Sequence, residues 1–388
     1  MSVTAAGGFV AAGTACGIKP AGRPDLALVA VDGGRPVPAA AVFTTNRAAA
    51  APVQVSRRHL AATGGRAAAV IVNSGNANAA TGPAGLAVAA GTCDRVAAGL
   101  GCRPEEVLVC STGLIGIPLD PAPLAAGVPA LVAALSAGGA ARAATAILTT
   151  DTVAKEVVVR AGAFTVGGMA KGAAMLAPDM ATMLAVLTTD AAAEPEALGD
   201  ALHRAVAGSF NQLTVDGSTS TNDTVVVLAS GVAGSPAGPD ELAGALADAC
   251  ASLALQMAAD AEGATKLVRV EVTGAASHAE AARAARAVAE SQLVKCSLFG
   301  GDPYWGRVVS ELGSAGVAFE LDRVSVAYGG TVVCRQGAPA AHDAEAVAAH
   351  LARRQVAVTA DLGLGPGRAA VTTADLTPGY IDENMRTS

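Results

Sequence analysis

Short apolar runs recur along the chain and read as strands: LALVAV (26–31), AAVIVN (68–73), VLVC (107–110), VVVR (157–160), TVVVLAS (224–230), LVRVEVTG (267–274), VSVAY (324–328) and VAVTADL (356–362). Between them, Ala-rich stretches near 83–99, 123–147, 195–207, 239–260, 276–290 and 343–353 carry the length of helices. Strands outnumber helices, and several follow one another directly. That disfavours a regular βαβ ladder and predicts an α/β chain, α+β in its detail, of packed mixed sheets with helices on their outer faces. GSPAGPDE (234–241) reads as a turn and a helix start with Asp240 as cap. APDMATMLAV (177–186) reads as the entry to a buried strand, and on pattern alone Thr182 is one more β-branched residue beginning it. No repeat of fixed period and no long linker interrupt the pattern.

Composition narrows the classes. The 388 residues are 52% hydrophobic and 15% charged, enough core material for two domains or one large α/β unit. Aromatics at 3% leave few stacking platforms for nucleic acid, and a net charge of −7 disfavours a polyanion partner. The seven cysteines are scattered without a CxxC pair and the five histidines without a cluster, so neither a disulfide framework nor a metal site is expected. The start, MSVTAAGGFVAAG, lacks the basic and apolar regions of a signal peptide. Residues 121–141 are uncharged but broken by prolines and glycines, which argues against a membrane span. A soluble cytoplasmic protein acting on small molecules is the expectation.

Common nucleotide and hydrolase motifs are missing. DLGLGPG (361–367) is a Gly-rich turn between two strands, not GxGxxG, and neither GxxxxGK[ST] nor GxSxG occurs. What remains are polar islands in an apolar chain: NSGNANAATG (73–82), CSTGLIG (110–116), TTDT (149–152), KGAAMLAPDMATML (171–184), SFNQLTVDGSTSTNDT (209–224), DAEGATK (260–266) and FGGDPYWGR (299–307). Any one of them fits a turn or a solvated cap. Together, Lys171, Asp216, Asp223, Glu262 and Lys266 among small residues suggest the lining of a cleft. The Thr112–Gly113 pair offers a hydroxyl and a backbone N–H that reach one oxygen, because glycine lets the chain approach closely.

The chemistry that links the islands runs through Thr182. A threonine hydroxyl needs a base, and no histidine lies near these motifs. A cut between Ala181 and Thr182 would place an α-amine, of ordinary pKa about 7.7–8.0, on the nucleophile's own residue. The same hydroxyl could make the cut by attacking the Ala181 carbonyl, through an N-to-O acyl shift and hydrolysis.

The blocks STGLIG, AILTTDT, GGMAKGAAMLAPDMATMLAVLTTDA, SFNQLTVDGSTSTNDT, EGATK and DPYWGRV resemble the signature blocks of the glutamate N-acetyltransferase (ornithine acetyltransferase) family, in family order and across nearly the whole chain. The resemblance implies that family's sandwich of mixed sheets and helices. It implies self-cleavage at Ala181–Thr182 into an α chain (1–181) and a β chain (182–388) that stay associated, in a higher oligomer of αβ units such as a heterotetramer. Thr182 would be the nucleophile, with Thr112 and Gly113 as the oxyanion hole. The substrate site would comprise Thr149, Lys171, Thr182, Glu262, Asn384 and Ser388. The implied reaction moves acetyl from N2-acetylornithine to glutamate through an acetyl-Thr182 ester, in arginine biosynthesis, without cofactor or metal; some members also take acetyl-CoA as co-substrate. The bottom-up chemistry agrees, since acetylornithine carries a carboxylate and an ammonium, and Lys171 and Glu262 supply matching charges.

Four positions depart from the family pattern: Ala174, Ala261, Ser218 and Tyr304 stand where Gly, Gly, Asp and Asn are usual. The tail NMRTS is one residue short, leaving Ser388 or Thr387 as the last contact. These changes bear on specificity more than on the nucleophile. Two other readings fit the same residues: a self-processing aminopeptidase or amidohydrolase that passes the acyl group to water, and an acetyltransferase paralogue of a specialised pathway. An unprocessed binding module is a third.

Overall fold

The computed structural model describes residues 2–175, 183–234 and 238–385. The chain forms two compact units, Met1–Asn211 with Ser218–Met257, and Gln212–Gly217 with Ala258–Ser388.

In the first unit β1 (Phe9–Thr14), β2 (Leu26–Val31) and β3 (Val37–Phe43) precede α1 (Ala51–Ala62). Then come β4 (Arg66–Ala67), β5 (Ala69–Asn76), α2 (Gly82–Leu100) and β6 (Val107–Leu114), followed by α3 (Pro121–Ala133) and α4 (Ala140–Ala146). A strand-rich stretch closes the unit: β7 (Lys155–Ala161), β8 (Phe164–Lys171), β9 (Leu184–Thr189), α5 (Pro195–Ala207), β10 (Thr224–Ala229) and α6 (Pro239–Ala259). These strands make a four-stranded sheet, β1-β2-β5-β6, and a six-stranded sheet, β4-β3-β10-β9-β8-β7.

The two sheets share one core. Val29, Val72 and Leu108 of the first meet Met169, Val186 and Val226 of the second, with α4 contributing Ala143 and Ala144. The opposite face of the first sheet, including Leu28, Ile71 and Val109, is covered by residues of α1, α2 and α3 such as Val55, Val96 and Leu131. Strands buried on both faces explain why β2, β5, β9 and β10 read as unbroken apolar runs rather than alternating ones. By length and composition α6 could cross a membrane, but 56% of its apolar window is buried inside the fold. Leu246, Leu253 and Met257 are fully buried, as in a core helix.

The second unit holds β11 (Leu267–Ala275), α7 (His278–Glu290), α8 (Gln292–Phe299), α9 (Trp305–Ser314), β12 (Ser325–Tyr328), β13 (Thr331–Arg335), β14 (Ala338–Pro339), α10 (Ala344–Leu351), β15 (Gln355–Asp361), β16 (Gly367–Ala374) and α11 (Pro378–Asn384). Its six strands form one mixed sheet, β14-β13-β12-β15-β11-β16. Here alternation is visible: Val268, Val270 and Val272 of β11 point to a core with Ala281, Ala284 and Val288 of α7, while Arg269 is exposed on the other face.

The predicted mixed α/β architecture stands. Within it, the expected helix over 123–147 is two helices, α3 and α4. Gly139 is the reason: a Cβ there would lie 1.7 Å from the Ala11 carbonyl oxygen, so the chain breaks to bridge Ser136 to Ala11. Asp240 falls inside the first turn of α6 rather than before it, and pairs with Arg204 at 3.1 Å.

Candidate active site

The scaffold of the site is the parallel pair β5–β6, in which Asn73 faces Ser111, Ser74 faces Thr112 and Gly75 faces Gly113. Parallel strands end on the same side, so the NSGNANA and STGLIG blocks emerge together. Gly113 has φ +132°, and a Cβ on it would sit 2.3 Å from the Gly75 carbonyl carbon and 2.5 Å from the Asn76 nitrogen. Only glycine allows that approach. Ser111 Oγ donates to Asn73 Oδ1 at 2.5 Å. Asn222 brings in a third block: its Nδ2 donates to the carbonyls of Ala77 (2.7 Å) and Ser111 (2.8 Å). Ala77, Thr112, Gly113, Met175, Ser220 and Asn222 line a small cavity.

A buried ionic cluster joins the TTDT and KGAAM blocks. Asp151 Oδ1 lies 2.6 Å from Lys155 Nζ and accepts from the Gly172 N–H at 2.7 Å; Oδ2 lies 3.7 Å from Lys171 Nζ and accepts from the Thr149 N–H at 3.1 Å. Burial by itself would raise the Asp151 pKa. The ammonium groups of Lys171 and Lys155 and the hydrogen bonds outweigh it and hold the carboxyl well below the usual range. Lys19, which donates to the Leu148 and Pro24 carbonyls, feels the same neighbourhood; burial, helped by Arg23 and Lys171, lowers it to about 8.

Asp223, at the entry to β10, behaves in the opposite way. It is fully buried, and its Oδ1 accepts from the Met183 N–H at 2.7 Å. Its Oδ2 has no hydrogen-bond partner. Burial drives its pKa well above the ordinary carboxylate value, against the opposing Met183 N–H, Lys171 and Ser220. Burial thus favours the protonated form of this carboxyl.

In the second unit, Asn384 Nδ2 donates to Glu262 Oε2 at 2.8 Å, across 122 residues of sequence. The EGATK loop is fastened to α11: Thr377 Oγ1 donates to the Gly263 carbonyl at 2.6 Å. A Cβ on Gly263 (φ +62°) would lie 2.2 Å from the Tyr380 nitrogen. Tyr380 OH donates to Asp216 Oδ2 at 3.1 Å.

Three pairs of expected residues are thus adjacent: Thr112 with Gly113 on the cavity, Thr149 with Lys171 through Asp151, and Glu262 with Asn384. Thr182, Ala181 and Ser388 lie outside the described residues. Asp151, Lys19 and Asn222 were not singled out from sequence. Asp151 lies two residues from Thr149 in a block already flagged, whereas nothing in the sequence marks Asn222 as the tie between three blocks. Lys266 turns to the Leu298 carbonyl of its own unit. Tyr304 is exposed, with Arg307 stacked 5.3 Å from its ring centroid. Among the described residues no group of His, Cys, Asp and Glu could hold a metal ion.

Comparison with known proteins places this geometry in context. The ArgJ family model matches residues 10–387. The arginine biosynthesis bifunctional protein ArgJ of Thermobifida fusca is 48% identical over 384 residues, covering 99% of each chain. The protein of the same name from Mycobacterium tuberculosis H37Rv is 49% identical over 392 residues, covering 98% of this chain and 95% of its own. A solved structure, ornithine acetyltransferase complexed with ornithine from Mycobacterium tuberculosis, is 50% identical where it aligns, with a TM-score of 0.44, covering 46% of this chain and 94% of that one. With the family's signature blocks in order and its model matched almost end to end, the chain belongs to the ArgJ family.

Proposed function

We propose that this chain is a self-processing acetyltransferase of arginine biosynthesis. It moves the acetyl group of N2-acetylornithine to glutamate and takes acetyl-CoA as a second donor for N-acetylglutamate. The observation that carries this reading is the meeting of Thr112, Gly113, Met175 and Asn222 on one cavity, with Met183 held by Asp223, the next residue after Asn222. Thr182 would be the nucleophile, freed by cleavage after Ala181, with its own α-amine as base. The acetyl carbonyl oxygen would become an oxyanion received by the Thr112 hydroxyl and the Gly113 N–H. Ornithine would leave, and the glutamate amine would take the acetyl group from the Thr182 ester.

The charges suit amino-acid substrates. Three buried lysines, Lys19, Lys155 and Lys171, lie near Asp151 and Asp25 in the first unit, a cationic neighbourhood suited to a carboxylate. Thr149 would position the substrate beside Lys171. Glu262 and Asn384 offer an anion and an amide, with Ser388 as the last contact. Product analysis tests the reading with three mixtures: acetylornithine plus glutamate, acetyl-CoA plus glutamate, and acetylornithine alone. N-acetylglutamate from the first two supports it. Acetate released at the same rate without glutamate would make the chain a hydrolase.

Rate, rather than binding, should report the oxyanion hole. Loss of one such donor costs about 10²–10³ in kcat. Thr112→Ala is expected to lower kcat by that much while KM stays within a few-fold. A normal kcat with a large KM change would make Thr112 a substrate-positioning group instead.

The α chain (1–181) and β chain (182–388) would not part after the cut, because the cut falls inside one compact unit. β9 and β10 belong to the β chain but lie between β3 and β8 of the α chain, in one six-stranded sheet. The cut protein should elute as one species on gel filtration and give two bands only on a denaturing gel. Pieces that separate under native conditions would contradict this. We place the αβ units in a heterotetramer and the protein in the cytoplasm, where its seven free cysteines fit a reducing milieu.

A further inference from the structure

We propose that Asp223 delivers the proton that the α-nitrogen of Thr182 needs as the Ala181–Thr182 peptide bond breaks; the inference rests on the self-processing reading above. Three observations carry it. Oδ1 of Asp223 holds the Met183 N–H at 2.7 Å. The Met183 nitrogen is three covalent bonds from the Thr182 nitrogen, a distance of at most about 4 Å in any conformation. Oδ2, the other carboxyl oxygen, is buried with no hydrogen-bond partner, an exception that buried polar atoms rarely show without a functional reason.

The step balances as a relay. Thr182 Oγ bonds to the Ala181 carbonyl carbon, and the carbon–nitrogen bond to Thr182 breaks. Asp223 gives its proton to the departing nitrogen and takes up the proton that the hydroxyl loses. The net change is one proton moved from oxygen to nitrogen, and water then hydrolyses the ester to an Ala181 carboxylate and the free Thr182 hydroxyl. The carboxyl must start protonated, which its burial favours. Among the described residues the groups facing it are few. Lys171 from β8 and the Ser220 hydroxyl act on its charge. The Asp223 carbonyl accepts from the Thr44 N–H at 2.9 Å, and Arg57 of α1 donates to the Thr44 carbonyl at 2.5 Å. Lys171 opposes protonation, so it cannot be its source.

The test follows the cutting rate of freshly synthesised full chain, in cell-free translation, on denaturing gels across about pH 5 to 10. Wild type should cut fastest while Asp223 holds its proton and slow about tenfold per pH unit once the carboxyl ionises. Asp223→Asn keeps the acceptor for Met183 but has no proton to give. It should cut about 10²–10⁴-fold more slowly, the usual worth of a general acid, and lose that decline with pH. An Asn variant cutting at the wild-type rate would overturn the proposal. So would a wild-type rate that rises with pH across this range, as general-base control would give, which decides the matter even if the variant folds poorly. A wild-type chain that never cuts removes the self-processing reading itself, a failure distinct from either.

Discussion

A chain carrying Thr182→Ala should stay whole. Wild type is expected on a denaturing gel as two bands that divide its 388 residues at 181/182; the variant is expected as one. The size of the effect follows from the number of roles the hydroxyl plays. It attacks the Ala181 carbonyl to open the chain, and opening the chain liberates the amine that later activates it. It then carries the acetyl group as an ester. Loss of a covalent nucleophile removes the pathway rather than slowing one step, so transfer activity should fall to background. Thr182→Ser keeps the oxygen but loses the methyl group that restricts χ1, and should cut slowly. Amino-terminal sequencing of the smaller-numbered cut in wild type should read Thr-Met-Leu-Ala. Any other start, or two bands from the Ala variant, would remove Thr182 from its place in the mechanism.

The frame on which this chemistry sits was readable where residues have one structural use. Val- and Leu-rich runs such as 26–31 and 224–230 are strands because buried β-branched residues have few alternatives. Alanine is less informative. VPAAAVF became β3 through its pairing with β10, a tertiary choice that overrides alanine's helical preference. FTVGGMAK was hidden as a strand by two central glycines. In the fold a Cβ on Gly167 would lie 2.0 Å from the Ser2 carbonyl oxygen, so glycine is there to let the N-terminal segment pass.

The same division runs through the site. Thr112 and Gly113 were legible because a hydroxyl beside a glycine after a strand suggests its own chemistry. Glu262 stood out as a charge among small residues and Asn384 only through family resemblance, and no spacing rule could have paired residues so far apart. Asp223 was noticed only as a charge among small residues. What sets it apart, one satisfied oxygen and one orphaned oxygen beside Met183, exists only after β9 and β10 align in parallel and place Thr224 against Leu184.

Asp151→Ala should cost more stability than any exposed substitution in the chain. Asp151 and Lys155 have side chains fully excluded from solvent, and Lys171 nearly so. Without the carboxylate, two buried ammonium groups would lose the anion they share, and the Thr149 and Gly172 N–H groups would lose their acceptor. Breaking a buried pair by removing one partner costs about 3–5 kcal/mol, a third or more of the roughly 5–15 kcal/mol that holds an ordinary domain together. Asp151→Asn preserves shape and should lose most of the same energy, because the charge is what matters. The pH dependence has a definite sign. The carboxyl's pKa is lower in the folded chain than in the unfolded one, so its contribution is complete above the ordinary value of about 3.9 and fades as pH falls below it. Urea unfolding at one protein concentration, from about pH 7 down to about pH 3, would check both points. The variant should be weaker at neutral pH and should lose less on acidification, so that the gap to wild type narrows without closing by about pH 3. A variant within about 1 kcal/mol of wild type at pH 7, with an unchanged acid limb, would mean that Lys155 and Lys171 are held by other groups and that Asp151 is not the hinge between the two blocks.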